Sequence, residues 1–344
     1  MIRVADALSC VVAQHNRYET DGRYVPLAGM EEPDQLVVVR SPTTILELAG
    51  RFPNAERFLW LHDYVIPGSR ERIELGRTAP ELERLGVTVI CVSDYLRRDV
   101  MRVFTEALGR APQTATIVRI HNPVPDDLRP TPTSSFDRTK LVWCSSPNKG
   151  LDIALAAFQW IHGRRPELRL HVANPGYFDL PARLPSGTVR LGSLSHARVQ
   201  EEIASALCVF YPNFAFPETF GLVFAESNAL GTPVLTHGIG AAEEVLGSDT
   251  GQLLPMSRRL RATYAVAGVA PKGKRAVIRA GASLGAFQPY LRTIEAWAAG
   301  ARPIVRARPE FRLSAIAAEW RSLLTESVEP RSAITAGGPA PESA

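Results

Sequence analysis

Short apolar runs alternate with helix-like segments along almost the whole of this 344-residue chain. That alternation restricts it to α/β architectures with parallel sheets. In the first half, strand-like runs fall at residues 9–14, 35–39, 57–61, 87–92 and 116–120, separated by helical stretches such as 41–50, 78–85 and 94–108. Asp94 is placed to cap the last of these, and Gly109 follows its end. Residues 122–139 then hold four prolines and few core candidates, the composition of an interdomain linker. A second alternation follows: strand 140–144, helix 151–162, strands 168–173 and 189–191, helix 197–206, strand 208–211, a helix ending at Gly231, and strand 233–236. Segments 291–299 and 314–324 read as helices, each with a tryptophan (Trp297, Trp320) on its apolar side. The length suits two domains. Two doubly wound domains would hold a ligand between them, at the carboxyl ends of their strands.

Composition narrows the functional classes. Apolar residues make up 45% of the chain and charged residues 22%, which describes a folded globular protein. No apolar run reaches the length of a membrane span, and the first residues lack a signal peptide's apolar core. The four cysteines (Cys10, Cys91, Cys144, Cys208) are scattered in or beside apolar runs without metal-ligand spacing. They read as reduced core residues of a cytoplasmic protein. The net charge of +4 hides an asymmetry: residues 257–324 carry thirteen Lys/Arg against three Asp/Glu, while residues 1–135 are slightly acidic. A solvated arginine-rich surface accounts for this basic third. Peripheral contact with anionic membrane is the functional alternative, and nucleic acid a weaker one. Residues 327–344 have the composition of a disordered tail.

The densest chemistry lies between Tyr211 and Val234. An apolar strand enters the loop 212–217, followed by Glu218, Thr219, Phe220, Gly221 and Leu222, then Glu226, and then Gly231-Thr232-Pro233. A helix is expected from about Thr219 to Gly231, with Pro233 behind its stop. Its first turn would offer backbone N–H groups and the positive dipole end to an anion. Eight residues of helix would set the two carboxylates roughly 12 Å apart, about the reach from a nucleotide sugar's hexose to its ribose. A bare pair of glutamates on a helix is weak evidence, since Glu near a helix start is favourable by itself. The flanking residues lend the pair its specificity.

This stretch resembles the donor-site signature of retaining GT-B glycosyltransferases, the GT4-like or group 1 glycosyl transferases, with their Glu-x7-Glu motif. The resemblance extends over about residues 140–255. Ser145-Ser146-Pro147-Asn148-Lys149-Gly150 is similar to the family's loop in which a basic residue meets the donor diphosphate. Gly192-Ser193-Leu194 is similar to its nucleobase loop, and residues 238–251 to the segment that closes its donor domain. The resemblance implies two Rossmann-like domains, with 1–135 on the acceptor side, 136–285 binding the donor, and 286–326 bracing the first domain. It implies a catalytic group of Glu218, His62 and Lys149. The donor-binding set is Ser145, Ser146, Lys149, Gly192, Leu194, Glu218, Thr219, Phe220, Gly221, Leu222 and Glu226. Glu218 would hold sugar hydroxyls, Glu226 the ribose, and Lys149 the leaving diphosphate, whose developing charge a positioned cation stabilises.

Two departures accompany the resemblance. Many family members have an arginine where this chain has Cys144. The family also opens with a strand, a Gly-rich loop and a helix, whereas residues 5–14 read as the end of that helix running into the second strand. The first β-α unit is therefore expected to be missing. No Asp-x-Asp motif occurs, so no metal or other cofactor is expected beyond the nucleotide-diphosphate sugar itself. The expected activity is retaining sugar transfer to an unidentified acceptor. The alternatives are a non-catalytic sugar-nucleotide-binding protein and a transferase acting on nucleic acid.

Overall fold

The computed structural model describes residues 31–63, 65, 67–130, 136–176, 178–214, 217–256, 258, 260 and 285–326, with the backbone of two short strands, β1 (His15–Asn16) and β2 (Val25–Pro26). The expected strand at 9–14, the missing β-α unit, the tail 327–344 and much of the basic stretch lie outside the described residues.

The first domain is built on four parallel strands: β3 (Gln35–Val39), β4 (Glu56–Leu61), β5 (Thr88–Cys91) and β6 (Thr116–Arg119), paired in that order. Helices α1 (Pro42–Arg51), α2 (Arg70–Arg84) and α3 (Asp94–Leu108) connect them. Each helix begins at a serine, Ser41, Ser69 and Ser93, whose hydroxyl accepts a hydrogen bond from the N–H three residues on. Ser93 therefore takes the capping role expected of Asp94, which lies in the first turn, where its charge suits the dipole. Helix α2 begins eight residues before the expected start at 78 and accommodates Pro80 inside it.

Glu83, on α2, shows how this domain is closed. Its buried carboxylate accepts hydrogen bonds from the N–H groups of Gln113 (2.8 Å), Thr114 (3.2 Å) and Ala115 (2.8 Å), and from Arg110 (3.0 Å). Burial opposes ionisation, but these donors outweigh it and hold the carboxyl down at about 2. A group depressed in the folded state stabilises above its ordinary titration range and loses that contribution as pH falls through its folded value. Glu83→Gln is expected to cost about 1–3 kcal/mol at neutral pH, because it leaves buried donors poorly matched. Denaturant melts should show the gap to wild type closing as pH falls from the ordinary glutamate range towards 2; a gap constant with pH would rule this account out.

The second domain is built on six parallel strands: β7 (Asp137–Cys144), β8 (Arg169–Asn174), β9 (Thr188–Ser193), β10 (Ala206–Phe210), β11 (Val234–His237) and β12 (Leu253–Leu254). Their spatial order is β12-β11-β10-β7-β8-β9. The chain works outwards from β7 in one direction, then returns to β10 and works outwards in the other. The strand order therefore reverses between β7 and β10, and the loops leaving their carboxyl ends diverge there, where open α/β sheets bind ligands. Helices α4 (Leu151–His162), α5 (His196–Ala204), α6 (Leu222–Ala229) and α7 (Ala242–Leu246) accompany these strands. Every residue of β10 is buried, as in a central strand covered on both faces.

The expected linker is held at both ends. Val124 donates its N–H to the Phe311 carbonyl (2.7 Å) and accepts from Leu313 N–H (2.9 Å), and β7 begins at Asp137, before the linker's expected end. Helix α8 (Gln288–Ala296) ends in a turn over Trp297–Ala301, where Gly300 adopts φ 117°. The chain then leaves the second domain, where Arg302 donates to the Leu207 carbonyl (2.8 Å). It runs into α9 (Leu313–Glu326) on the first domain, with Trp320 edge-on to Trp60 at 4.8 Å. No helix among the described residues is long and apolar enough to cross a membrane.

Candidate functional site

The loop after β7 and the loop after β10 bring Lys149 and Glu218 together. Lys149 ends a short turn, Pro147–Lys149, and Gly150 follows at φ 97°. A Cβ on Gly150 would lie 3.2 Å from the Asn213 side chain, and with the positive φ this favours glycine where the two loops approach. Lys149 Nζ donates to both oxygens of Glu218, at 2.9 and 3.2 Å. Tyr211 donates its hydroxyl to Glu218 Oε1 at 2.6 Å. That ring is fully buried, parallel to Trp143 and edge-on to Phe224. Burial, then the charge and hydrogen bond of Glu218, push the Tyr211 phenol well above its usual range, so it stays protonated and donates. Ser145 also hydrogen-bonds Tyr211; Ser145 and Ser146 are both half-buried in this loop.

The expected helix start is corrected by the structure. Helix α6 begins at Leu222, and Gly221 precedes it at φ 84°. Glu218 thus lies outside the helix, on a segment bridged in parallel to Gly240, with Ala241 N–H donating to the Glu218 carbonyl (2.9 Å). The left-handed conformation at Gly221 breaks the helix, and the residues before it are drawn across to the first domain. Thr219 donates its hydroxyl to the His62 carbonyl at 2.7 Å, and Ser93 donates to the Thr219 carbonyl. Phe220 is buried against His121 and Phe311, whereas Leu222 is exposed. The helical arithmetic for the separation of the two carboxylates therefore does not apply.

His62 follows the end of β4, its ring 4.6 Å from that of Trp60. Burial and the positive charge of Arg40 push its imidazole down to about 3, so it is neutral near pH 7. Gly192 and Leu194 lie at the end of β9 and just after it, Gly192 at φ 71° with open space where a Cβ would stand. Cys144 is buried at the end of β7. Burial, then the charge of Glu226, push its thiol up to about 12, so this position contributes no charge of its own.

Three contacts were not legible in the sequence. Glu226, buried on α6, is met by His196 Nε2 at 3.0 and 3.2 Å. Tyr211 reaches Glu218, seven positions further along the chain. Glu244 accepts from the N–H groups of Asp94 (2.8 Å) and Tyr95 (3.1 Å) and lies 2.8 Å from His121 Nε2, so a carboxylate of the second domain sits on the first turn of α3. Burial opposes its ionisation, but His121 and these N–H groups outweigh it and hold Glu244 below the usual carboxylate range. The Ser195 helix cap beside His196 was a local signal; its long-range partner was not.

Residues 138–265 match the family model described as glycosyl transferases group 1. The match covers 128 of the chain's 344 residues. Among curated proteins, the chain is similar to a GDP-mannose-dependent monoacylated alpha-(1-6)-phosphatidylinositol monomannoside mannosyltransferase of Corynebacterium glutamicum. The two are 25% identical in an alignment of 213 residues, with coverage of 54% of this chain and 52% of that protein. The chain thus spans about half the length of this relative. Among solved structures, the pneumococcal O-GlcNAc transferase GtfA, in complex with UDP and GlcNAc, aligns with a TM-score of 0.59 at 15% identity, covering 85% of this chain and 57% of that one. HepE of Anabaena in complex with UDP aligns with a TM-score of 0.54 at 17% identity, covering 84% and 78%. Sucrose-phosphate synthase of Thermosynechococcus elongatus gives 0.54 at 15%, covering 86% and 73%. The fold they share with this chain is the two-domain GT-B architecture of parallel sheets.

Proposed function

We propose that this chain transfers a sugar, with retention and without a required metal, from a nucleotide-diphosphate sugar to an acceptor. The observation that carries this reading is the cluster at the strand-order reversal, where Lys149 and Tyr211 converge on Glu218 and Glu226 follows on α6. In this reading the donor diphosphate lies over Lys149 and the starts of α4 and α6. Both helices open on a left-handed glycine without a side-chain cap and so present main-chain N–H groups to an anion. Glu218 accepts from sugar hydroxyls, and Glu226 accepts from the ribose. The bond from the anomeric carbon to the diphosphate oxygen breaks while the acceptor oxygen bonds to that carbon on the same face. The departing phosphate oxygen takes the acceptor proton. Lys149 stabilises the charge gathering on the leaving group, and neutral His62 orients the sugar or the acceptor.

One observation favours a second reading, a sugar-nucleotide-binding protein without catalysis. The Cys144 position supplies no cation to help hold a diphosphate. The relatives' ligands, GDP-mannose and UDP, make GDP- and UDP-sugars the first donors to test. A thermal-shift screen of UDP, GDP, ADP, CMP and dTDP sugars reports binding by mass action. Slow release of free sugar from the stabilising donor supports the transferase. Stabilisation with neither hydrolysis nor transfer supports the binder, and no stabilisation by any donor defeats both.

A further inference from the structure

Glu226 is 6% exposed, and a buried carboxylate must be met by donors. His196, the first residue of α5, reaches it from a position that is itself half open to solvent, with Nε2 3.0 Å from Oε1 and 3.2 Å from Oε2. A carboxylate can only accept, so Nε2 carries the proton. The other ring nitrogen is 3.3 Å from the side-chain amide nitrogen of Gln200, one helical turn further on. An amide nitrogen donates, so Nδ1 is the acceptor, and both contacts require the same tautomer. Gln200, His196 and Glu226 thus form a directed chain running from α5 across to α6. Each donor fixes the orientation of the next group.

We propose that His196 is a positioning residue that sets Glu226 to recognise the vicinal hydroxyls of a donor ribose. The inference rests on the reading of Glu226 given above and extends it to a residue outside the Glu-x7-Glu pattern. A carboxylate offers about four lone-pair directions. His196 Nε2 is shared between both oxygens, so the carboxylate plane is fixed and each oxygen keeps a lone-pair direction for a further donor. Two adjacent hydroxyls match that presentation, and a 2′-deoxyribose leaves one direction unmet. A site built to accept from a hydroxyl rejects an analogue lacking it, because a buried group is then unpaired. Without His196 the carboxylate is free to rotate, and much of that discrimination is lost. The role belongs to binding, so donor KM should rise while kcat is nearly kept.

Calorimetric titration of the full chain with UDP, dUDP, GDP and dGDP tests this. Wild type is expected to bind the ribonucleotide of its preferred base about tenfold or more tightly than the deoxy form. His196→Ala should bring the two within about threefold of each other, mainly by weakening the ribonucleotide. His196→Gln, which returns an N–H donor near the position of Nε2, should restore most of the preference, an outcome a purely structural role would not give. Gln200→Leu, on the same helix, should lower it partially and serves as the second probe if His196→Ala does not fold. An unchanged preference in His196→Ala, or in Gln200→Leu where that variant stands in, overturns the inference if Glu226→Ala abolishes the preference. If Glu226→Ala also leaves it intact, the underlying reading of Glu226 is overturned as well.

Discussion

Glu218→Gln is expected to lower the rate of sugar transfer by about a hundredfold, with Lys149→Met doing the same through loss of leaving-group stabilisation. The two side chains share one hydrogen-bonded pair, with Tyr211 as the third member. Gln keeps the shape of Glu218 and its contact with Tyr211 but removes the charge that draws Lys149 and, in the proposed reading, the sugar hydroxyls. Residues acting as a unit are not additive. The double variant should therefore be much less impaired than the product of the two singles. Steady-state kinetics on the donor found by the thermal screen would check both points. Rates near wild type in both single variants would remove the site assignment.

Gly240→Ala should be almost as damaging, although the glycine contributes no functional group. Gly240 stands at φ 62°, and a Cβ built there would meet the Glu218 carbonyl oxygen at 2.5 Å and its backbone nitrogen at 2.8 Å. Those atoms are main chain, so the glutamate itself must move. A displacement of about 1 Å in a positioned group can cost about a hundredfold in rate, and that is the loss expected. Gly251→Ala is the control: φ is 71° there, but nothing lies within 4 Å of the added carbon. It carries only the backbone strain, roughly 1–2 kcal/mol, visible in the melting temperature and absent from turnover. Equal turnover losses in the two variants would show that strain alone explains the effect, not displacement of Glu218.

How well the sequence foretold each element depended on how local its causes were. Strand β3 was read at its observed limits because alternation and flanking polar residues define it within a few positions. The serine cap at Ser93 was missed by one residue, because Asp94 has the same capping chemistry and only the backbone angles separate them. The start of α6 was misplaced from Thr219 to Leu222 for a different reason. Thr219, Phe220 and Gly221 are weak helix formers, and hydrogen bonds to His62 and Ser93, more than a hundred positions away, hold the segment outside the helix.

The Glu-x7-Glu pattern, the lysine loop and the two-lobed alternation were all written in order along the chain. By itself, then, the sequence determined the kind of fold, the family resemblance and the principal charged residues. It did not determine which partners would orient those charges. That Tyr211 meets Glu218, His196 meets Glu226, and Glu244 crosses to the first turn of α3 was decided only when the sheets were assembled. Hydrogen bonds act over about 3 Å in space and leave no periodic trace between residues distant in the chain.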